Sequence, residues 1–195
     1  MARGRPRTFD PDKALDRALK VFWKKGYEGA SLPDLTKAMG INRPSLYAAF
    51  GNKEALFRKA VERYAQGPAS YAREALELPT ARAVVERLLR GGTCVGSGKK
   101  EPRGCFMVQG ALTCGDDAEP ARKELAARRA AAEAALRQRL ERAREEGDLP
   151  AGADPADLAK YVVTVLHGMS VQAAGGATRE ELLRVAETAL RAWPT

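Results

Sequence analysis

Apolar residues recur three and four positions apart along most of this chain, the period of helices that bury one face. Asp10-Pro11 reads as a helix cap followed by a proline in the first turn. After it Ala14, Leu15, Ala18, Leu19 and Phe22 form one stripe, which Gly26 ends. Ser31-Leu-Pro-Asp34 has the spacing of a capping box, with an acid in the Glu/Gln place. It opens a short helix in which Leu35 and Ala38 face inward and Gly40 breaks the run. A third helix starts at Asn42, with Pro44 in its first turn, and carries Leu46, Tyr47 and Phe50 before Gly51 and Asn52. The fourth starts at Lys53, with Leu56, Phe57, Ala60, Val61 and Tyr64 on one face.

Gly67-Pro68 is the first seam. Residues 69–77 and 80–90 read as two further helices around Pro79, and the glycine-rich stretch 91–104 as a mobile loop. A short helix over Cys105–Thr113 follows, then a long charged one from about Ala118 to Glu146 with Leu125, Ala132, Leu136, Leu140 and Ala143 as its stripe. The last two helices carry Leu158, Tyr161, Val162, Val165, Leu166 and Met169, then Leu182, Leu183, Ala186, Ala189, Leu190 and Trp193. No strand pattern of useful length appears. The expectation is an all-α chain of nine or ten helices, divided into residues 1–66 and 67–195.

At 195 residues, 45% hydrophobic and 30% charged, the chain has enough apolar matter for a core and is no disordered tail. No apolar run approaches the ~20 residues of a membrane helix, and Met1–Asp10 has no apolar stretch behind its charge, so a soluble, cytoplasmic protein is expected. The charge is uneven. Of the net +8, residues 1–66 hold +7 and residues 67–195 only +1. Basic residues gathered on one segment suit a surface that neutralises phosphates, although a generic basic surface has the same composition.

The hairpin of two short helices around Met39-Gly40-Ile41 has the form of a helix-turn-helix. In that unit the second helix enters the major groove and its first residues reach base edges. Here those are Arg43, Pro44, Ser45 and Tyr47, with Leu46 and Phe50 turned to the core. Arg43 suits guanine O6 and N7, whereas Ser45 and Tyr47 suit phosphates. Lys53, at the start of the next helix, suits a phosphate as well. Helical hairpins with glycine turns also occur in proteins that never touch DNA. Arg3-Gly-Arg-Pro-Arg7 has the form of a minor-groove arm, with Arg5 and Arg7 as its contacts, and equally of a short disordered basic tail.

The stretch Ser31-Leu-Pro-Asp-Leu-Thr-Lys-Ala-Met-Gly-Ile-Asn-Arg-Pro-Ser-Leu-Tyr-Ala-Ala-Phe-Gly-Asn-Lys-Glu-Ala-Leu56 resembles the DNA-binding signature of TetR/AcrR-type transcriptional regulators. Leu46-Tyr47, Phe50, Lys53-Glu54 and Leu56, at their spacings after Ala38 and Gly40, are its specific part. The close match covers about residues 9–64; Gly104–Leu112 and Gly168–Ala173 are similar to segments of one subset. The resemblance implies a homodimeric repressor with two amino-terminal DNA readers, dimerised through carboxyl-terminal helices that also enclose an effector pocket. Effector binding would release a palindromic operator of double-stranded DNA. Ser31 and Asn42 join the expected DNA contacts.

Val163, Val171 and Val185 lie beyond a single stripe, and Gly168 and Ala173 permit close helix approach, so a dimer face is expected there; the same residues also suit the core of one subunit. The effector expected is an organic molecule held by apolar side chains and a few polar groups. Leu88, Phe106, Gln109, Leu125, Tyr161, Val165, His167 and Met169 are the candidates for its pocket. Thiol-based sensing of metal or oxidant through Cys94, Cys105 and Cys114 is the alternative, although their spacings of 11 and 9 match no metal motif. No cofactor, metal site or catalytic residue is expected: with one histidine and no Gly-x-Ser-x-Gly or phosphate loop, enzyme machinery is hard to assemble. A non-regulatory architectural DNA binder is the remaining rival, and it would need no effector cavity.

Overall fold

The computed structural model describes residues 9–94, 102–112 and 115–194. The basic arm with Arg5 and Arg7, residues 95–101 of the glycine-rich stretch, and Cys114 lie outside the described residues. Ten α-helices and no strand are found among the described residues. They are α1 (Pro11–Gly29), α2 (Leu32–Met39), α3 (Arg43–Phe50), α4 (Lys53–Gln66) and α5 (Ser70–Ala75). There follow α6 (Ala81–Cys94), α7 (Phe106–Gln109), a 3-10 turn at Asp116–Ala118, α8 (Glu119–Glu145), α9 (Pro155–Ala174) and α10 (Arg179–Arg191).

Local chemistry starts most of these helices where the sequence puts the caps. The Asp10 carboxylate accepts from the N–H groups of Asp12 and Lys13, Asn42 from Ser45, and Asn52 from Ala55. Each cap satisfies a first-turn N–H that the helix itself leaves open, and each contributes about 1 kcal/mol. The buried stripes then gather into two cores. The first joins Phe22 and Trp23 of α1, Leu35 and Met39 of α2, Leu46 and Phe50 of α3, and the inner face of α4. It does not stop at Gly67, because Phe106 and Ala111 around α7 and Ala121 and Leu125 of α8 complete it. The second core joins α6, α9, α10 and the distal half of α8 through Leu136, Leu140 and Ala143. The 27-residue α8 therefore serves both cores, one with each half, while Ala132 between its two buried patches is exposed.

Three expectations differ from the structure. α1 does not end at Gly26 but kinks there, at φ 71°, and its last turn continues to Gly29. The kink points the Tyr27 N–H outward, and it donates to the Gly110 carbonyl at 2.7 Å. A side chain at Gly26 would meet both an unfavourable backbone conformation and that carbonyl at 3.3 Å. Secondly, α6 runs through Gly91 and Gly92 to Cys94 instead of opening into a loop. The reason is packing: the Tyr71 ring occupies the place where a Gly91 Cβ would be. Thirdly, the helix expected over Cys105–Thr113 is a single turn, α7.

Gly110 is packed more tightly than Gly26. A methyl group on it would fall 2.6 Å from the Phe106 ring and 2.8 Å from the Phe106 carbonyl. Gly110→Ala is expected to cost about 1–3 kcal/mol, as overpacked sites do. A urea titration followed by circular dichroism measures it, and an unchanged midpoint would show that the segment yields freely.

Candidate DNA-binding face and its joint to the helical half

Each helix of the α2–α3 hairpin is capped at its amino-terminal end by a side chain. The Ser31 hydroxyl accepts from the Asp34 N–H at 3.2 Å, and the Asp34 carboxylate accepts from the Ser31 N–H at 3.3 Å, a reciprocal capping box. Lys25 of α1 reaches the same carboxylate at 2.8 Å. With the Lys25 ammonium and the Ser31 hydroxyl beside it, Asp34 is held down at about 2. The lowered value means that this cap and ion pair are intact at neutral pH and are lost only as the pH falls toward 2. Gly40, left-handed at φ 71°, turns the chain from α2 into α3.

α3 then divides cleanly. Leu46 and Phe50 are buried, while Arg43, Pro44 and Tyr47 are exposed and Ser45 is half-buried. Tyr47 shows 47% of its surface, unusual for so large a side chain. The capping residues Ser31 and Asn42 are exposed at the amino-terminal ends of the two helices. Asn42 accepts from Ser45 N–H at 2.9 Å through its carbonyl oxygen and keeps its amide donors.

Lys53 opens α4, and its side chain packs back against the end of α1. It is half-buried, with Nζ 4.5 Å from the centre of the Tyr27 ring and 3.5 Å from the Glu28 carbonyl, to which it donates. Burial lowers its pKa from the ordinary lysine value, and the Glu28 carboxylate opposes that shift. Sequence reasoning passed over Tyr27, Glu28 and Lys25 as functional residues. Their partners are 26, 87 and 9 positions away, so no spacing along the chain announces them.

The segment from Gly104 to Ala111 joins this face to the rest of the chain. The Trp23 indole N–H donates to the Gly104 carbonyl at 2.8 Å, and the Phe106 N–H donates to the Tyr64 hydroxyl at 3.3 Å. From the other side, the Cys105 N–H donates to the Ser170 hydroxyl at 2.8 Å and Arg129 donates to the Met107 carbonyl at 2.6 Å. Phe106 fits edge-on against Phe57 at 5.5 Å and Tyr64 at 5.6 Å between centroids. Such pairs add about 0.5–1.5 kcal/mol each beyond burial.

The eight pocket candidates are distributed over both cores. Phe106 and Leu125 belong to the first, and Leu88, Val165 and Met169 to the second. Gln109 donates to the Ser170 carbonyl at 3.1 Å, on the boundary between them. His167 is half-buried; burial and the charges of Arg129 and Lys160 lower its pKa, against the pull of Glu133. Tyr161 lies on the outer side of α9, its hydroxyl 3.5 Å from the Ala189 carbonyl of α10. Of the cysteines, Cys94 is exposed at the end of α6 and Cys105 is half-buried beside Tyr64, whose hydroxyl donates to its sulfur at 3.3 Å. Burial pushes the Cys105 thiol up. Among the described residues no group of three or more His, Cys, Asp and Glu is placed to hold a metal ion, and no helix is long and apolar enough to cross a membrane.

Comparison with known proteins agrees with this arrangement part by part. Residues 14–60 match the family model of bacterial regulatory proteins of the tetR family, and residues 78–190 that of the tetracyclin repressor-like C-terminal domain. The chain belongs to the TetR family. It is 39% identical over 196 residues to the HTH-type transcriptional repressor ComR of Escherichia coli K12, covering 99% of this chain and 93% of ComR. Among solved structures, a cysteine variant of the TetR-family regulator CifR, complexed with 26-bp operator DNA, superposes with a TM-score of 0.93. It is 49% identical, over 97% of this chain and all of CifR. A TetR regulator from Rhodococcus is 44% identical with a TM-score of 0.65, over 93% of this chain and 97% of that one. The chain is a transcriptional regulator of this family, with an amino-terminal helix-turn-helix.

Proposed function

We propose that the chain is a cytoplasmic repressor that binds a pseudo-palindromic operator as a homodimer and releases it when a small organic effector binds its helical half. The observation that carries this reading is the exposed face of α3, with Arg43, Pro44, Ser45 and Tyr47 on a capped hairpin, in a fold that CifR uses with operator DNA. Residues 1–66 form the reader and 67–195 the regulatory half. Val171 of α9 and Val185 of α10, 51% and 45% exposed, supply apolar surface for the dimer. The effector site lies where α6, α7, α8 and α9 meet, around Leu88, Gln109, Val165 and His167.

Arg43 reads a base pair in each half-site, and Lys53 with Ser31, Asn42, Ser45 and Tyr47 holds phosphates. Selection from a random duplex library is expected to return half-sites about 10 base pairs apart or slightly more. Arg43→Ala should weaken the selected duplex by about 1–3 kcal/mol and relax one position per half-site. Lys53→Ala should weaken all duplexes alike and flatten the salt dependence. Selected sites without dyad symmetry would contradict the homodimer.

A second reading, sensing through Cys94, Cys105 and Cys114, is favoured by the position of Cys105 in the joint, against Tyr64 of α4. Its raised pKa weighs the other way, since the reactive thiolate is scarce at neutral pH. Replacing all three cysteines with serine should leave operator binding and effector response intact. Loss of a response to Cu(I), zinc or peroxide, with operator binding retained, would establish the thiol reading instead.

A further inference from the structure

We propose that Tyr27 is a positioning residue for Lys53, holding its ammonium at the start of α4 and tying it to the Gly104–Ala111 segment of the helical half. The inference rests on the operator-binding reading and adds a route by which the helical half adjusts one phosphate contact. Three observations meet at this place. Lys53 Nζ lies 4.5 Å from the Tyr27 ring centre, inside the range of cation–π attraction, and donates to the Glu28 carbonyl at 3.5 Å. The Tyr27 ring is fixed on its other sides, 5.0 Å edge-on to Phe57 and stacked 6.3 Å from Phe22. The backbone that carries it hangs from the helical half: Tyr27 N–H donates to the Gly110 carbonyl at 2.7 Å, and the Gly115 N–H donates to the Glu28 carboxylate at 3.1 Å.

A lysine side chain is otherwise free to sample many rotamers, and ordering it on binding a phosphate costs entropy. Tyr27 restricts that freedom before DNA arrives. Because the kink at Gly26 hands the Tyr27 N–H to Gly110, a shift of the Gly104–Ala111 segment moves the ring and the ammonium with it. The coupling therefore acts on affinity for any sequence and leaves base preference to Arg43.

The test uses the full chain with Tyr27→Phe, Tyr27→Leu and trifluorophenylalanine at position 27, which keeps the ring's shape and weakens its negative face. Lys53 reactivity toward an amine-acylating reagent, read by mass spectrometry without DNA against exposed Lys59, tests the clamp apart from any DNA. Wild type and Tyr27→Phe should protect Lys53, and the fluorinated and leucine variants should expose it. Equal reactivity in all four overturns the proposal, whatever the DNA result. Binding to a duplex selected by the wild-type protein then tests positioning. The fluorinated variant should lose roughly two- to tenfold in affinity, and its slope of log affinity against log salt should shrink by up to about 0.9, one phosphate contact. Lys53→Ala should cost clearly less in that background than in wild type. Additive losses, or a wild-type slope in the fluorinated variant, would overturn it. Failure of wild type to select any duplex, with Lys53 still protected, would instead remove the operator reading.

Discussion

The backbone polar groups of the Gly104–Ala111 segment have no sheet and only one helical turn to satisfy them, yet the segment is largely buried. Buried N–H and C=O groups left unpaired are costly, so these find partners on the elements around them. The partners come from both sides. Trp23 and Tyr27 of α1 and Tyr64 of α4 take Gly104, Gly110 and Phe106, while Arg129 of α8 and Ser170 of α9 take Met107 and Cys105. Neither half of the molecule moves relative to this segment without breaking several bonds at once. The segment is the shared floor on which the DNA-binding hairpin and the helical half both stand.

Packing reinforces the same joint. Phe22, Tyr27, Phe57, Phe106, Tyr64 and Trp23 form a chain of ring contacts with centroids 4.9–6.3 Å apart, running from α1 through α4 to α7. Arg63 of α4 grips Asp16 of α1 through two bonds of 2.7 and 3.1 Å on the outer side. α4 is thus locked to α1 within the reader and to α7 beyond it. The continuous α8 carries the connection on to the second core. The proposed effector, bound in the helical half, would act on a lever whose pivot is aromatic and close-packed, where small displacements are passed on rather than absorbed.

What the sequence revealed follows from the range of the forces involved. The caps at Asp10, Ser31 and Asn42 act within three residues, and the inward stripes repeat within a turn, so both were legible without tertiary knowledge. The exposed face of α3 was legible for the same reason, since Leu46 and Phe50 fix which side is buried. The joint was not. Trp23 meets Gly104 across 81 positions and Tyr27 meets Gly110 across 83, and nothing in local composition pairs them. Likewise Gly91 reads as a loop residue until the Tyr71 ring that needs its bare backbone is in place. Lys53 was placed at the right helix end, but its seat on Tyr27 depends on the kink at Gly26, which the sequence marks only as a stop. The pocket candidates are apolar side chains with a few polar ones, a property that does not say which of them meet, and the fold distributes them over two cores.

If the Gly104–Ala111 segment makes the reader and the helical half one mechanical unit, they should also unfold as one. The chain has two tryptophans, one in each core: Trp23 and Trp193. In the Trp193→Phe variant, fluorescence reports Trp23 alone, while far-ultraviolet circular dichroism reports all the helices. A urea titration of that variant at fixed protein concentration should give coincident transitions by the two probes, the mark of a single cooperative unit. A fluorescence transition at lower urea than the loss of helix would show the reader melting by itself, and would contradict the shared joint.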